Sequence, residues 1–413
     1  MATGASIVCV CEGSASGLTE ALGESARYPV IETRPADAAK RIAGAHAAAV
    51  VLAEPDLAPD QFTAIVKKVE ELEGPFVPIL AYPCPGIEST TVLPLAREVP
   101  PARVAERLTA TLRVRALHAK VQRRAGDENE PIASYYDSDC LDEATILVAG
   151  RGGGYPALAL AVGERAPVIG VLSLESAKRY LDARDIDGVV IGDGFSANAV
   201  EGFLDMLRGD PRFRDLAIVV ADNRIAAPGL DSLPNADHVR GGPERVVPHL
   251  LPLVRLHAFS ARLRRWEKSL ESKGFVDAET GLLTGEAFLS ELTRAVEECG
   301  KRSATLSLAR FSFDGIDRRI GVDAARIVGR LVRTTDFACL DEDGSLHVVF
   351  GDTDLKAGHI VARRIASVLK HTMLAPDPNT PPLNPQISLV TRKPSDTAES
   401  LLARAHPAAV AAE

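Results

Sequence analysis

Arg333-Thr-Thr-Asp-Phe-Ala-Cys-Leu-Asp-Glu-Asp-Gly-Ser-Leu-His-Val-Val-Phe350 is the stretch on which the reading of this chain turns. Two short apolar runs flank Asp343-Gly344, a dipeptide that favours a tight turn because both residues tolerate positive φ. The stretch therefore predicts an antiparallel hairpin over 337–350. Working outward, apolar spacings of three and four predict helices over 323–333 and 355–370. Apolar runs of strand length predict strands at 304–311 and 386–390, and further helices are expected at 286–298 and 395–405. A Pro-rich loop is expected at 375–385. Together these make an α+β unit that opens at Asp277.

The first two thirds of the chain read differently. Ser6-Ile-Val-Cys-Val10, Ala47-Ala-Ala-Val-Val-Leu52 and Phe76-Val-Pro-Ile-Leu80 are buried-strand runs. They alternate with helical patterns, including 62–72 and 101–117, which points to a parallel sheet covered on both faces. Ala125-Gly-Asp-Glu-Asn-Glu-Pro131 is polar and helix-breaking, and is expected to begin a linker. The pattern then repeats: strands at 144–149, 188–192 and 216–220, a helix at 197–207, and a long helix from 249 to 273. The expected organisation is two doubly wound α/β domains, 1–124 and 143–272, joined by a linker at 125–142. The α+β domain follows at 273–413.

Composition narrows the function. The chain has 413 residues, 46% of them hydrophobic, and a net charge of −9, so a broad nucleic-acid-binding face is not expected. Cys9, Cys11, Cys84, Cys140, Cys299 and Cys339 include no CxxC pair, so neither a zinc site nor a disulfide framework is expected. No run approaches the ~20 apolar residues of a membrane span, and the N-terminus has no basic, apolar leader pattern. A cytoplasmic protein is the expectation.

Several segments of the third domain resemble GGDEF domains. Asp277-Ala-Glu-Thr-Gly-Leu282 resembles DxLTGL, Ser307-Leu-Ala-Arg-Phe-Ser-Phe313 resembles LxDIDxF, and Cys339 to Phe350 resembles the RYGGDEFxxLL hairpin. Ile387-Ser-Leu-Val390 and Leu401-Leu-Ala-Arg-Ala-His406 resemble TxSIGV and LLxxAD. The first two domains are similar, more distantly, to receiver domains. The layout resembles that of response regulators of the PleD type, with a degenerate nucleotidyl-cyclase-like GGDEF domain expected as the third domain.

That resemblance implies lost chemistry. Two metal carboxylates of the family fall at Ala309 and Phe311, and the signature itself becomes Glu342-Asp343-Gly344-Ser345-Leu346. The family's phosphate-holding Lys falls at Glu413. No catalytic residues, resident metal or cofactor are therefore expected. Arg333-Thr-Thr-Asp336 is an RxxD pair five residues ahead of the signature, the spacing of the family's inhibitory site. The resemblance implies that Arg333 reads the Hoogsteen edge of a guanine of cyclic di-GMP, that Asp336 accepts guanine N–H groups, and that Arg364 embraces the ligand.

Neither receiver-like domain keeps its phosphorylation set. Glu12 follows the first strand of domain one, but the acceptor falls at Ala53 or Glu54 and the Lys near Arg97. In domain two Arg151 follows the first strand. Asp193 is an acceptor only if the register slips by one, and a turn-capping role is favoured. Gly152-Gly-Gly154 reads as a loop. No phosphorylation is expected, and both domains are expected to act as interaction platforms, with homodimerisation through them.

The leading expectation is a non-catalytic cyclic di-GMP receptor that works through protein partners. By resemblance these are adaptor and protease-delivery factors and a cell-cycle regulator, with recruitment to a cell pole. The alternatives are a ligand-independent scaffold with a relic RxxD, and a weakly active diguanylate cyclase.

Overall fold

Ala47–Leu52 is six apolar residues with every side chain buried, too short and too evenly buried for a surface helix, and it forms an interior strand. The computed structural model describes residues 5–13, 16–25, 28–53, 57–81, 92–95, 100–128, 140–222, 224–225, 229–230, 232–302, 304–313, 315, 317–333, 335–371 and 383–406. The chain divides into one unit of residues 1–181 and 186–263 and another of residues 182–185 and 264–413.

The first unit holds two sheets. One is built from β1 (Ser6–Val10), β2 (Val30–Thr33), β3 (Ala47–Leu52), β4 (Ile79–Ala81) and β5 (Val92–Pro94). Its helices are α1 (Ser16–Ser25), α2 (Pro35–Gly44), α3 (Pro59–Glu70) and α4 (Pro101–Glu128). The second sheet comprises β6 (Ile146–Ala149), β7 (Val168–Val171), β8 (Gly188–Ile191), β9 (Ala217–Val220) and β10 (Ala236–His238). With it go α5 (Tyr155–Gly163), α6 (Leu174–Ala183), α7 (Ala197–Gly209) and α8 (Pro243–Glu271). The strand orders are β2-β1-β3-β4-β5 and β10-β9-β8-β6-β7, and every described pairing in both is parallel. Each follows the 2-1-3-4-5 order of flavodoxin-like, doubly wound folds.

The helix expected to end near 117 runs on to Glu128, through the start of the expected linker. Val114, His118, Val121 and Ala125 keep the spacing of four, three and four, and all are buried, so the apolar stripe continues past the polar composition. Residues 129–139, most of that linker, lie outside the described residues.

Long helices bind the two halves of the unit together. Arg107 on α4 is buried and donates to the carbonyls of Pro94, Pro234 and Ala236, and its Nη2 meets Asp237 Oδ1 at 2.8 Å. His118 on α4 accepts the Phe76 amide at Nδ1, with its ring against Phe76 and against Phe259 of α8. Burial, with Arg115 adding repulsion, lowers the His118 pKa to about 4.

The second unit is α+β. Its elements are α9 (Gly285–Arg302), β11 (Leu306–Ser312), α10 (Arg318–Leu331), β12 (Phe337–Leu340), β13 (Leu346–Gly351), α11 (Leu355–His371), β14 (Gln386–Thr391) and α12 (Ala398–Ala405). The antiparallel sheet runs β12-β13-β11-β14. Because side chains alternate across a strand, Ala309 and Phe311 join the core beneath α10 and α11, whereas Leu306 and Leu308 pack with α9 and α12. The expected hairpin is present: β12 and β13 pair antiparallel from Phe337↔Val349 to Leu340↔Leu346, and Gly344 at the turn has φ +79°. Helix α10 begins at Arg318, five residues before its expected start.

Candidate functional site

Arg333 and Asp336 lie between α10 and β12. Val332, at ψ 150°, has left helical geometry, which puts Arg333 outside α10. The Arg333 side chain is exposed. Asp336 is half-buried and closes the turn: its Oδ2 accepts the Arg333 amide at 3.1 Å, and its own amide donates to the Arg333 carbonyl at 3.0 Å. Its Oδ1 accepts the amide of Gly351, at the end of β13, at 3.2 Å. A Cβ at Gly351 would stand 3.0 Å from the Thr335 carbonyl, so the close approach of the two segments favours glycine there. An ionised carboxylate has about four lone-pair sites, and Asp336 spends two of them on backbone.

Arg364 lies on α11, exposed like its neighbour Arg363. Gly358, Ala362, Ile365 and Leu369 form the buried stripe of that helix, so the two arginines leave it on opposite flanks. Arg364 is nine residues beyond Leu355, about 14 Å along the axis at the α-helical rise. Among the described residues no hydrogen bond joins Arg364 to Arg333 or Asp336. The structure thus brings Arg333 and Asp336 into one turn and sets Arg364 on the next helix.

The hairpin turn carries a feature that the sequence reading missed. Ala309 and Phe311, the positions where the sequence resemblance puts metal carboxylates, face the core, and the side chain of β11 that points to the turn is Arg310. It is buried, with Nη2 2.5 Å from Asp343 Oδ2 and Nε donating to Ser345 Oγ at 3.2 Å. Ser345 in turn donates its amide and hydroxyl to Asp343 Oδ1, at 2.8 and 2.5 Å. Burial alone would raise the Asp343 pKa, but the Ser345 donors and the Arg310 guanidinium outweigh it and bring the value to about 2. His347, stacked against Phe288, lies beside this network and is held below its ordinary pKa chiefly by burial.

Next to the turn a cleft of about 570 Å³ is lined by Asp277, Phe313, Arg318, Leu340, Asp343 and Gly344, among others. Asp277 is itself committed to a turn, its Oδ1 accepting the amide and hydroxyl of Thr280 while Gly281 takes φ +75°. Among the described residues no group of three or more His, Cys, Asp or Glu is placed to hold a metal ion.

In the first unit, the Gly152–Gly154 loop follows β6 and leads into α5. It wraps the half-buried Asp193 instead of standing open. The Asp193 carbonyl accepts the amides of Arg151 and Gly152, and its Oδ2 accepts Gly154 N at 3.4 Å. A Cβ on Gly152 would fall 2.2 Å from that carboxyl group. Nearby, buried Asp222 is gripped by Arg224 through Nε at 3.0 Å and Nη2 at 2.8 Å, which lowers its pKa. In the first sheet Glu12 is exposed and Ala53 half-buried, while Glu54 and Arg97 lie outside the described residues. Cys9, Cys11, Cys140, Cys299 and Cys339 are buried and form no disulfide. No described helix is long and apolar enough to cross a membrane.

No protein-family model and no curated protein matches the chain. Among solved structures, the chain is similar to the coiled coil and GGDEF domain of DgcB from Caulobacter crescentus in complex with c-di-GMP. Identity is 20%, over 37% of this chain and 86% of that one, at a TM-score of 0.32. It is also similar to the FimX GGDEF domain from Pseudomonas aeruginosa, at 15% identity, 33% and 93% coverage, and a TM-score of 0.31. A third likeness is to diguanylate cyclase SiaD from the same organism, in complex with its activator SiaC. There identity is 17%, coverage 36% and 62%, and the TM-score 0.32.

Proposed function

We propose that this chain is a cyclic di-GMP receptor without cyclase chemistry, binding the dinucleotide through Arg333, Asp336 and Arg364 and acting through protein partners. The observation that carries the reading is Arg333. It projects from a turn that Asp336 fixes on both sides, and among the described residues it has no ion-pair partner. A bidentate donor beside a carboxylate with acceptor sites to spare suits the N7/O6 and N–H edges of guanine.

The reading that cyclase chemistry is absent draws on Arg310. A buried guanidinium beside the hairpin turn repels a divalent cation at the place where the family resemblance puts one, and it engages Asp343 itself. The receiver-like halves serve as platforms. Resemblance in layout to the cell-cycle adaptor PopA extends the proposal to a polar adaptor in regulated proteolysis.

One observation favours a second reading, a scaffold with a relic RxxD. Both Asp336 oxygens already serve the backbone, so that residue has a structural reason to be there. Calorimetry with the full chain and cyclic di-GMP separates the two. A good bidentate guanine contact is worth about 1–3 kcal/mol, so Arg333→Ala should weaken binding about 5- to 140-fold. No heat at millimolar ligand, or unchanged affinity in Arg333→Ala, sinks the receptor reading. Formation of cyclic di-GMP from GTP and Mg²⁺ would sink the non-catalytic part alone.

A further inference from the structure

Helix α11 has an outer face that the fold does not account for and that the proposed dinucleotide site uses only at Arg364. Its 17 residues, LKAGHIVARRIASVLKH, include Lys356, Arg363, Arg364 and Lys370 and not one Asp or Glu, in a chain whose net charge is −9. All four cations are exposed, and no described residue forms an ion pair with them. Ile360 stands among them at 65% exposure. Lys356 precedes it by four residues, and Arg363 and Arg364 follow by three and four, the helical separations that put side chains next to one another. The result is an apolar pin ringed by three guanidinium and ammonium groups, with Lys370 extending the cationic ridge to about 21 Å, or four turns.

We propose that this face docks an acidic amphipathic helix of a protein partner. Its apolar stripe would cover Ile360, and its carboxylates would meet Lys356, Arg363, Arg364 and Lys370. Charge complementarity selects the occupant, since a ridge without a single carboxylate favours an anionic surface. The pin selects protein over nucleic acid, because an apolar centre inside a polar ring gains from a complementary apolar pocket, whereas a phosphate backbone offers it nothing. A lipid surface fits poorly, because the continuous apolar stripe of α11 faces the core and Ile360 stands alone at the centre of the outer face. One helix laid along four turns buries less than a standard interface, so the complex should be weak, micromolar and salt-sensitive.

The proposal does not rest on the dinucleotide reading, and Arg363→Glu, which leaves Arg364 in place, keeps the two apart. The test is fluorescence anisotropy of the full chain with a labelled synthetic helical peptide carrying Leu along one face and Glu elsewhere. The expected result is micromolar binding that falls about tenfold or more in Ile360→Asp and in Arg363→Glu, two exposed sites where circular dichroism should show the fold retained. A peptide of the same composition with its Leu positions scrambled should bind at least tenfold more weakly. The idea is overturned by absent binding, by affinity unchanged in Ile360→Asp, or by equal binding of the scrambled peptide. Tighter binding to phosphatidylserine vesicles or to duplex DNA than to the peptide also overturns it.

Discussion

Removing the exposed partner of the Arg310–Asp343 pair should cost more than removing the buried one. Arg310 is 7% exposed at its side chain and Asp343 47%. In Asp343→Ala the guanidinium stays buried under the hairpin with only Ser345 Oγ to meet it. Stripping a buried charge of its partner costs about 3–5 kcal/mol, and the Ser345 contact and nearby solvent reduce this to about 2–4 kcal/mol. In Arg310→Met the charge disappears, an apolar chain of similar length lies beside Leu308, and the Asp343 carboxylate is left in water with the Ser345 donors intact. That change should cost about 1 kcal/mol or less. The double variant should resemble Arg310→Met, giving a coupling as large as the Asp343→Ala loss itself, about 2–4 kcal/mol. Native-state hydrogen exchange of the β11 and β13 amides reads this unit without requiring the whole chain to unfold in one step. Equal or greater loss of protection in Arg310→Met would refute the reasoning. The pH dependence has a fixed sign. The folded Asp343 value, about 2, lies below the ordinary carboxylate range, so its stabilisation is present above about pH 4 and is lost as pH falls towards 2. With the side chain half exposed, that contribution is about 1 kcal/mol.

His118 is held neutral by burial with a value of about 4, below its ordinary 6.5, so the unfolded chain takes up the proton first as pH falls. The first unit should lose up to about 3 kcal/mol between pH 6.5 and 4, and His118→Gln, which keeps an acceptor for the Phe76 amide, should flatten that slope in thermal melts. Asp237→Ala should destabilise the first unit by about 3 kcal/mol, because Arg107 is left buried with carbonyl partners only. Urea unfolding followed by protection of β9 and β10 amides checks this, and a loss under 1 kcal/mol would mean the carbonyls suffice.

Some of this was legible in the sequence and some was not, for physical reasons. The hairpin was readable because Asp343-Gly344 specifies its turn locally. The interior strands β1, β3, β6, β8 and β9 were readable because burial on both faces leaves an unbroken apolar run. Strand β10 was not: Ala236-Asp-His238 has no apolar pattern, and it is a strand because its backbone pairs with β9 while Asp237 meets Arg107, 130 positions away. Helix α4 outran its expected end because its buried stripe persists beneath polar surface residues. In the candidate site, Arg333 and Asp336 were singled out by the position of an RxxD within a family resemblance, but the Asp336 clasp on Gly351 joins positions that no local pattern connects. Arg310 was missed although the signal was present. Placing Ala309 and Phe311 on one face of a strand puts the residue between them on the other, and a period of two was enough to ask where that cation goes.

The two halves of the RxxD pair carry unequal weight. Asp336 accepts the Arg333 amide of its own turn and the Gly351 amide at the end of β13, and a carboxylate in that position holds the start of β12 against that end whether or not a ligand ever arrives. Its presence therefore says little about guanine. Arg333 is the reverse case. It is exposed, its backbone supplies everything the turn needs, and no described residue pairs with its guanidinium, so folding gives no reason for arginine there. The same contrast separates Arg310 from Arg364: one arginine is consumed by an internal carboxylate, the other stands on an acid-free helix. Charges that the fold has neutralised explain stability, and those it leaves exposed are the ones on which the proposed binding sites rest.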